Sequence, residues 1–271
     1  MIKLNSVGRV MKAAACIAQA PMLLAAVCIT ASNAFAQDTA TATPQAAQTH
    51  SPTSRQLSLF FREDWKNPPA QPYATPGAPV ERWTREPFEH PVTQANVSNP
   101  NLELKLYGPS GKEILTAGGA GRPGGDSRSV PHLWTGLCRQ TCAAALRDKS
   151  NYVDLSGFGK IRWFVRVSGL HRIHPIVKLA DGTWLLGEHE DANGADLLQS
   201  EFTLSEWRWI KLDIDNVVTL GQWLETSKVD LTKVDEVGFT DLMPGSGHGD
   251  GGWMDMGWIE VYGKPVPRTS H

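Results

Sequence analysis

The run "GKIRWFVRVSG" (Gly159–Gly169) decides the fold. Ile161, Trp163 and Val165 alternate with Arg162, Phe164 and Arg166. Neighbouring side chains of a strand point to opposite faces, so this run buries one row and turns the other outward. Working outward, "NLELKLYGP" (Asn101–Pro109) alternates leucine with polar residues in the same way. "HPIVKLADGTWLLGEH" (His174–His189) holds two strands joined by "ADGT", a hairpin turn. "EFTLSEWRWIKLDI" (Glu201–Ile214), "KVDEVGFTDL" (Lys233–Leu242) and "MDMGWIEVYG" (Met254–Gly263) complete the strand series. Helical pattern is scarce. "CAAALRDK" (Cys142–Lys149) has helix-forming composition, but it is short and lies between strands. The expectation is an all-β sandwich, a jelly roll, with long loops and little helix.

The 271 residues do not all belong to that sandwich. Lys3, Arg9 and Lys12 precede an alanine-rich apolar stretch that ends in "NAFAQ", with Ala34 and Ala36 at the small positions a signal peptidase needs. Residues 1–36 read as a cleavable signal peptide. Pro21, Gln19 and the small-residue ending argue against a membrane anchor. The expected location is periplasmic or extracellular, without stable membrane insertion. Residues 37–55, "QDTATATPQAAQTHSPTSR", carry almost no large apolar side chain and read as a disordered linker. Residues 56–264 read as one sandwich domain and 265–271 as a tail. The prolines from Pro68 to Pro91 forbid a regular helix there and suggest a long surface-hugging connection.

Charge narrows the partners. The leader holds three of the 26 basic residues and none of the 28 acidic ones, so the remainder carries 23 against 28, a net −5. That balance disfavours phosphate-neutralising contact with nucleic acid. Of four cysteines, Cys16 and Cys28 leave with the signal, and Cys138 and Cys142 remain. In an oxidising compartment a short-loop disulfide is the favoured state, provided the pair does not share one continuous strand. Two cysteines alone make a poor zinc site.

The runs "YVDLSGFGKIRWFVRV" (152–167), "EWRWIKLDI" (206–214), "VDEVGFTDL" (234–242) and "GWIEVYGK" (257–264) resemble the jelly-roll carbohydrate-binding modules and their galactose-binding-like relatives. The resemblance spans Tyr152 to Lys264 and rests on core-strand patterns. It implies a sandwich and a carbohydrate ligand, and it carries no catalytic residue. The Glu-x-Asp-x-x-Glu strand of laminarinase-type sandwich hydrolases is absent.

Three clusters bear candidate chemistry. Arg166, His171, Arg172 and His174 bring cationic and imidazole groups together and, with His189, form the candidate catalytic set of a glycoside hydrolase or polysaccharide lyase. The bland alternative is a row of edge-strand polar residues. "GEHEDANGAD" (Gly187–Asp196) is dense in carboxylates. Such oxygens can hold a structural calcium, which takes six to eight ligands, but the spacing is not that of an EF-hand and a solvated loop is favoured. The glycine-rich run from Asp241 to Trp253 is the candidate binding loop, with Trp253 as an aromatic face and Asp241, His248 and Asp250 as polar contacts. Trp134 and Trp184, beside loops, are further candidates for a sugar platform, while Trp163 and Trp258 read as core. The function expected is carbohydrate recognition. An enzyme and a non-catalytic cell-envelope module are the alternatives.

Overall fold

The computed structural model describes residues 57–67, 89–118 and 130–268. The signal peptide, the linker and most of the proline-rich connection lie outside the described residues. The described residues fall within one compact unit, Thr53–His271. They form sixteen strands: β1 (Leu59–Glu63), β2 (His90–Pro91), β3 (Leu102–Tyr107), β4 (Leu115–Ala117), β5 (His132–Trp134), β6 (Cys142–Asp148), β7 (Asn151–Asp154), β8 (Lys160–Val167), β9 (Ile173–Leu179), β10 (Trp184–Gly187), β11 (Leu198–Thr203), β12 (Arg208–Asp213), β13 (Val218–Glu225), β14 (Val234–Asp241), β15 (Met254–Tyr262) and β16 (Lys264–Pro267).

The strands make two antiparallel sheets. The seven-stranded sheet runs β11-β8-β15-β5-β4-β2, with β1 also paired to β15. The nine-stranded sheet runs β13-β12-β10-β9-β14-β6-β3, with β7 and β16 added beside β14. The protein is an all-β sandwich. β8 shows the expected alternation in full: Ile161, Trp163, Val165 and Val167 are buried between the sheets, and Lys160, Arg162, Phe164 and Arg166 face outward. The "ADGT" turn joins β9 to β10, with the Asp181 carboxylate accepting a hydrogen bond from the Thr183 amide at 2.8 Å.

Three segments depart from expectation. "CAAALRDK" is not helical: Cys142–Asp148 is the interior strand β6, where pairing on both edges overrides local propensity. Its alanines suit a crowded place. A side chain at Gly238 on β14 would meet the Ala144 carbonyl oxygen at 2.1 Å, so only glycine lets the strands lie as they do. "EFTLSEWRWIKLDI" is not one strand either. It leaves the first sheet after Thr203, turns through Leu204–Glu206, and enters the second sheet as β12. The sheet also continues past residue 264, because β16 pairs with β7 through Pro267.

Part of the outer face of the nine-stranded sheet is apolar, and beside it Glu236 pairs with Lys105 and Lys178 and accepts from Tyr107. Ala143, Ala145, Ile176, Trp184, Leu186, Ile210, Leu212 and Val217 form a second buried cluster there. Val217 belongs to the β12–β13 turn, yet its side chain reaches Gly108, beyond the end of β3. Beside it the Thr141 hydroxyl donates to the Asn216 carbonyl at 2.7 Å. In the sheet order β12 and β6 are separated by β10, β9 and β14. A twisted sheet folds diagonally opposite corners toward the same side, and here two such corners meet over the face.

Candidate functional site

The outer face of the seven-stranded sheet carries a ladder of rings and charges along two strands. It is built from the outward rows of β8 and β15, which pair as Arg166 with Asp255, Phe164 with Trp258, Arg162 with Glu260 and Lys160 with Tyr262. In mid-face the Phe164 and Trp258 rings stack at 5.8 Å and 13°. The Arg62 guanidinium lies 4.5 Å from the Trp258 ring centroid on the β1 side. Around these rings Arg62 donates to Glu260, Tyr262 donates to the other oxygen of Glu260 at 2.8 Å, and Arg162 donates to the Tyr262 hydroxyl at 3.1 Å. Hydrogen bonds and ion pairs with Asp64 and Glu260 hold the Arg62 guanidinium protonated, raising its pKa despite partial desolvation. Trp258 is therefore half-buried on an outer face, not the core ring its apolar strand suggested.

At the other end of this face Arg166 grips Asp255 through Nε and Nη2, at 2.9 and 2.6 Å, both to Oδ2. The Trp253 ring lies 4.7 Å from the same guanidinium. His132, on β5, turns Nε2 toward Asp255 Oδ1 at 3.6 Å. Next along β5, Trp134 stacks on His248 at 4.5 Å, and His248 Nε2 lies 2.9 Å from Glu89. The glycine-rich loop that carries His248 is tied to the β5–β6 connection by two backbone bonds of 2.7 Å, Gly245 to Cys138 and Gly247 to Gly136. Cys138 and Cys142 form a disulfide across that connection. Cys138 precedes β6, so the pair does not share one strand and its Cα atoms are 6.3 Å apart.

Of the residues singled out from sequence, Arg166, Trp253, Trp134 and His248 therefore gather at one place. The rest do not. Asp241 ends β14 in the other sheet, where its buried carboxylate accepts from His171 and from the Met243 amide. Both side chains of the pair are buried. Asp250 is exposed in the loop. Trp134 and Trp184 are buried, against the expectation of platforms beside loops: Trp134 packs with Leu115 and Ala117, and Trp184 meets Tyr107 edge-on at 4.9 Å.

The remaining histidines lie elsewhere. His174 Nδ1 donates to the His189 carbonyl at 3.0 Å, and burial pushes the His174 imidazole below its usual range. The His189 ring stacks on Trp207 and Phe202. Arg172 lies 3.5 Å from Glu190. The expected catalytic set is thus divided among three places. The acidic loop is divided too. Glu188 pairs with Arg208, Glu190 with Arg172, and Asp191 accepts from Trp163 and His189. Burial works to raise the Asp191 carboxyl, but those two hydrogen bonds hold it below its ordinary value. Among the described residues no three histidine, cysteine or carboxylate groups converge as metal ligands.

Sequence reasoning passed over His132, Glu89 and Glu260, and it placed Asp255 only as a loop neighbour. The signal was present. Lone acids at 255 and 260 interrupt an apolar strand, and lone arginines at 162 and 166 interrupt another. The acids are five residues apart and the arginines four, and the bulge between Met256 and Trp258 absorbs the extra residue so that they pair as a cross-strand ladder.

No protein-family model and no curated protein matches the chain. Solved structures similar to it include PfGH50B, at 9% identity over 62% of this chain and 23% of that one, with a TM-score of 0.35. Another is the family 11 carbohydrate-binding module of the cellulosomal cellulase Lic26A-Cel5E of Clostridium thermocellum, at 13% identity over 64% and 88%, with a TM-score of 0.32. A third is peanut lectin, at 8% identity over 67% and 98%, with a TM-score of 0.31. The chain spans about a quarter of the length of PfGH50B.

Proposed function

We infer that this protein binds carbohydrate on the outer face of its seven-stranded sheet. One observation carries the reading: aromatic rings and hydrogen-bonding charges are interleaved along a single face. Trp253, Phe164, Trp258 and Tyr262 stand between Arg62, Arg162, Arg166, Asp255 and Glu260. A sugar presents apolar C–H patches and dense hydroxyls side by side, and such a face answers both. Arg62 covers one side of the Trp258 ring, so a ligand laid across the face meets ring edges and the polar groups between them. The core-strand resemblance to carbohydrate-binding modules supports the same reading.

Export belongs to the proposal as well. The basic start and "AFA" before Gln37 motivate it, and N-terminal sequencing of the secreted protein is expected to begin at or beside Gln37. A chain retained in the membrane fraction with Met1 intact would refute it. The functional test is a polysaccharide panel scored for both binding and released products. Trp258→Ala is expected to weaken binding by about 10-fold or more while remaining folded. Unchanged binding by the folded variant would reject this face. Product release by the wild-type protein would favour the enzyme reading.

A further inference from the structure

Along β1, β8, β11 and β15 the charges of the seven-stranded sheet's outer face are matched. The cations are Arg62, Lys160, Arg162 and Arg166, and the carboxylates are Asp64, Glu201, Asp255 and Glu260. Arg62 meets both Asp64 and Glu260, Arg166 meets Asp255 at 2.6 Å, and Arg162 lies 3.3 Å from Glu260. Glu201 sits on the edge strand β11, directly across from Arg162. Its Oε1 is 3.1 Å from Lys160 Nζ, and its Oε2 is 3.2 Å from Arg162 Nε. Lys160 also lies over the Tyr262 ring, at 4.6 Å. One carboxylate thus spans both cations beside Tyr262. The Glu201 side chain is 47% exposed and has lone pairs to spare for a ligand.

We propose that Glu201 makes this face selective for neutral polysaccharide by holding Lys160 and Arg162. This rests on the carbohydrate reading and adds the ligand class and the residue that sets it. A sugar hydroxyl can donate to Glu201 or accept from Lys160, whose ammonium carries three donors. Neither contact requires the ion pair to part. A ligand carboxylate or sulfate would instead enter beside the Glu201 carboxylate. The cations there are already neutralised, so the approach of a second anion is met by like charge. Exposed pairs of this kind add little to folding, which leaves their effect on the ligand as the larger one.

The test uses the wild-type protein, Glu201→Gln and Glu103→Gln. Glu103 pairs with Arg147 from β3 of the other sheet and controls for the change in net charge. Each protein is melted and titrated with neutral polymers (xylan, galactomannan, agarose) and acidic ones (polygalacturonate, alginate, carrageenan). The best neutral polymer is then compared in hydroxyethylated and carboxymethylated form, which differ in charge more than in bulk. The wild-type protein should bind a neutral polymer best and the carboxymethylated form about 10-fold more weakly than the hydroxyethylated one. Glu201→Gln should regain about threefold or more of that loss, and the gain should fade as salt screens it. Glu103→Gln should regain none. An acidic polymer as the best wild-type ligand would overturn the proposal. So would equal gains in the two variants, which net charge alone would explain, or no gain in a folded Glu201→Gln. If Glu201→Gln does not fold, Glu201→Thr, which suits a strand, is read in its place. Absence of binding to every polymer would remove the carbohydrate reading and this selectivity with it. Neutral binding that Trp258→Ala weakens, without a gain in Glu201→Gln, removes only the selectivity.

Discussion

The two outer faces of this sandwich use the same strand chemistry for different ends. On the nine-stranded sheet an outward cluster of alanine, isoleucine, leucine and tryptophan is closed over by opposite corners of the sheet, and beside it Glu236 takes Lys105, Lys178 and Tyr107. On the seven-stranded sheet the outward row is arginine, carboxylate and aromatic ring, and the sheet's own residues pair across it. A cluster of apolar side chains covered by the sheet's own corners contributes stability and has little left for a ligand. A face of interleaved rings and charges contributes less stability per residue and keeps groups that a ligand can engage. On the proposed reading, the first cluster secures structure and the second face meets the ligand.

The contrast is broken first by tryptophan. Trp184→Ala, on the closed face, is expected to cost about 3–5 kcal/mol, the scale for removing a buried indole. Trp258→Ala, on the other face, is expected to cost about 1–2 kcal/mol, because its ring is half-buried and its contacts are one stacked ring and guanidinium groups. Urea unfolding of both variants measures the pair. Equal losses would mean that the two faces do not differ as described.

The corner contact sharpens the contrast with an effect between those two. Gly108 has φ of +81°, and an added Cβ would meet Val217 at 2.5 Å and the Thr141 carbonyl at 2.7 Å. Gly108→Ala is therefore expected to lose about 1–3 kcal/mol and to separate the β12–β13 turn from the end of β3. Faster amide exchange at residues 214–217 should accompany the loss. A variant of wild-type stability, with the turn still protected, would show that the corners do not close the face.

The strands themselves were legible wherever one face is buried and the other is not. β8 alternates strictly, and its burial follows the sequence residue by residue. β15 was legible as a strand but not by face. It is buried on both sides over most of its length, so apolar character around Trp258 said nothing about which side the ring takes. β6 was hidden because alanine favours helix locally, while the tight approach of β14 at Gly238 demands small residues. β13 escaped notice because it lies at a sheet edge, with most of its residues exposed on both sides and no alternation to detect.

The site was legible in part. A cluster read along the chain assumes that neighbours in sequence share a place, and Arg166 and His171 do not: the first grips Asp255 and the second is sealed against Asp241. The contacts that assemble the Asp255 cluster join positions far apart in the chain, such as His132 with Asp255 and Glu89 with His248. Pairing of β5, β8 and β15 brings His132, Arg166 and Asp255 together.

The central claim is that ligand lies on the outer face of the seven-stranded sheet. Hydrogen–deuterium exchange with and without the polysaccharide identified by the panel tests it most directly. The account predicts added protection in peptides covering 160–167 and 254–262, with peptides covering 173–187 and 208–213 unchanged. Protection confined to the latter peptides would place the ligand on the closed face and contradict the account.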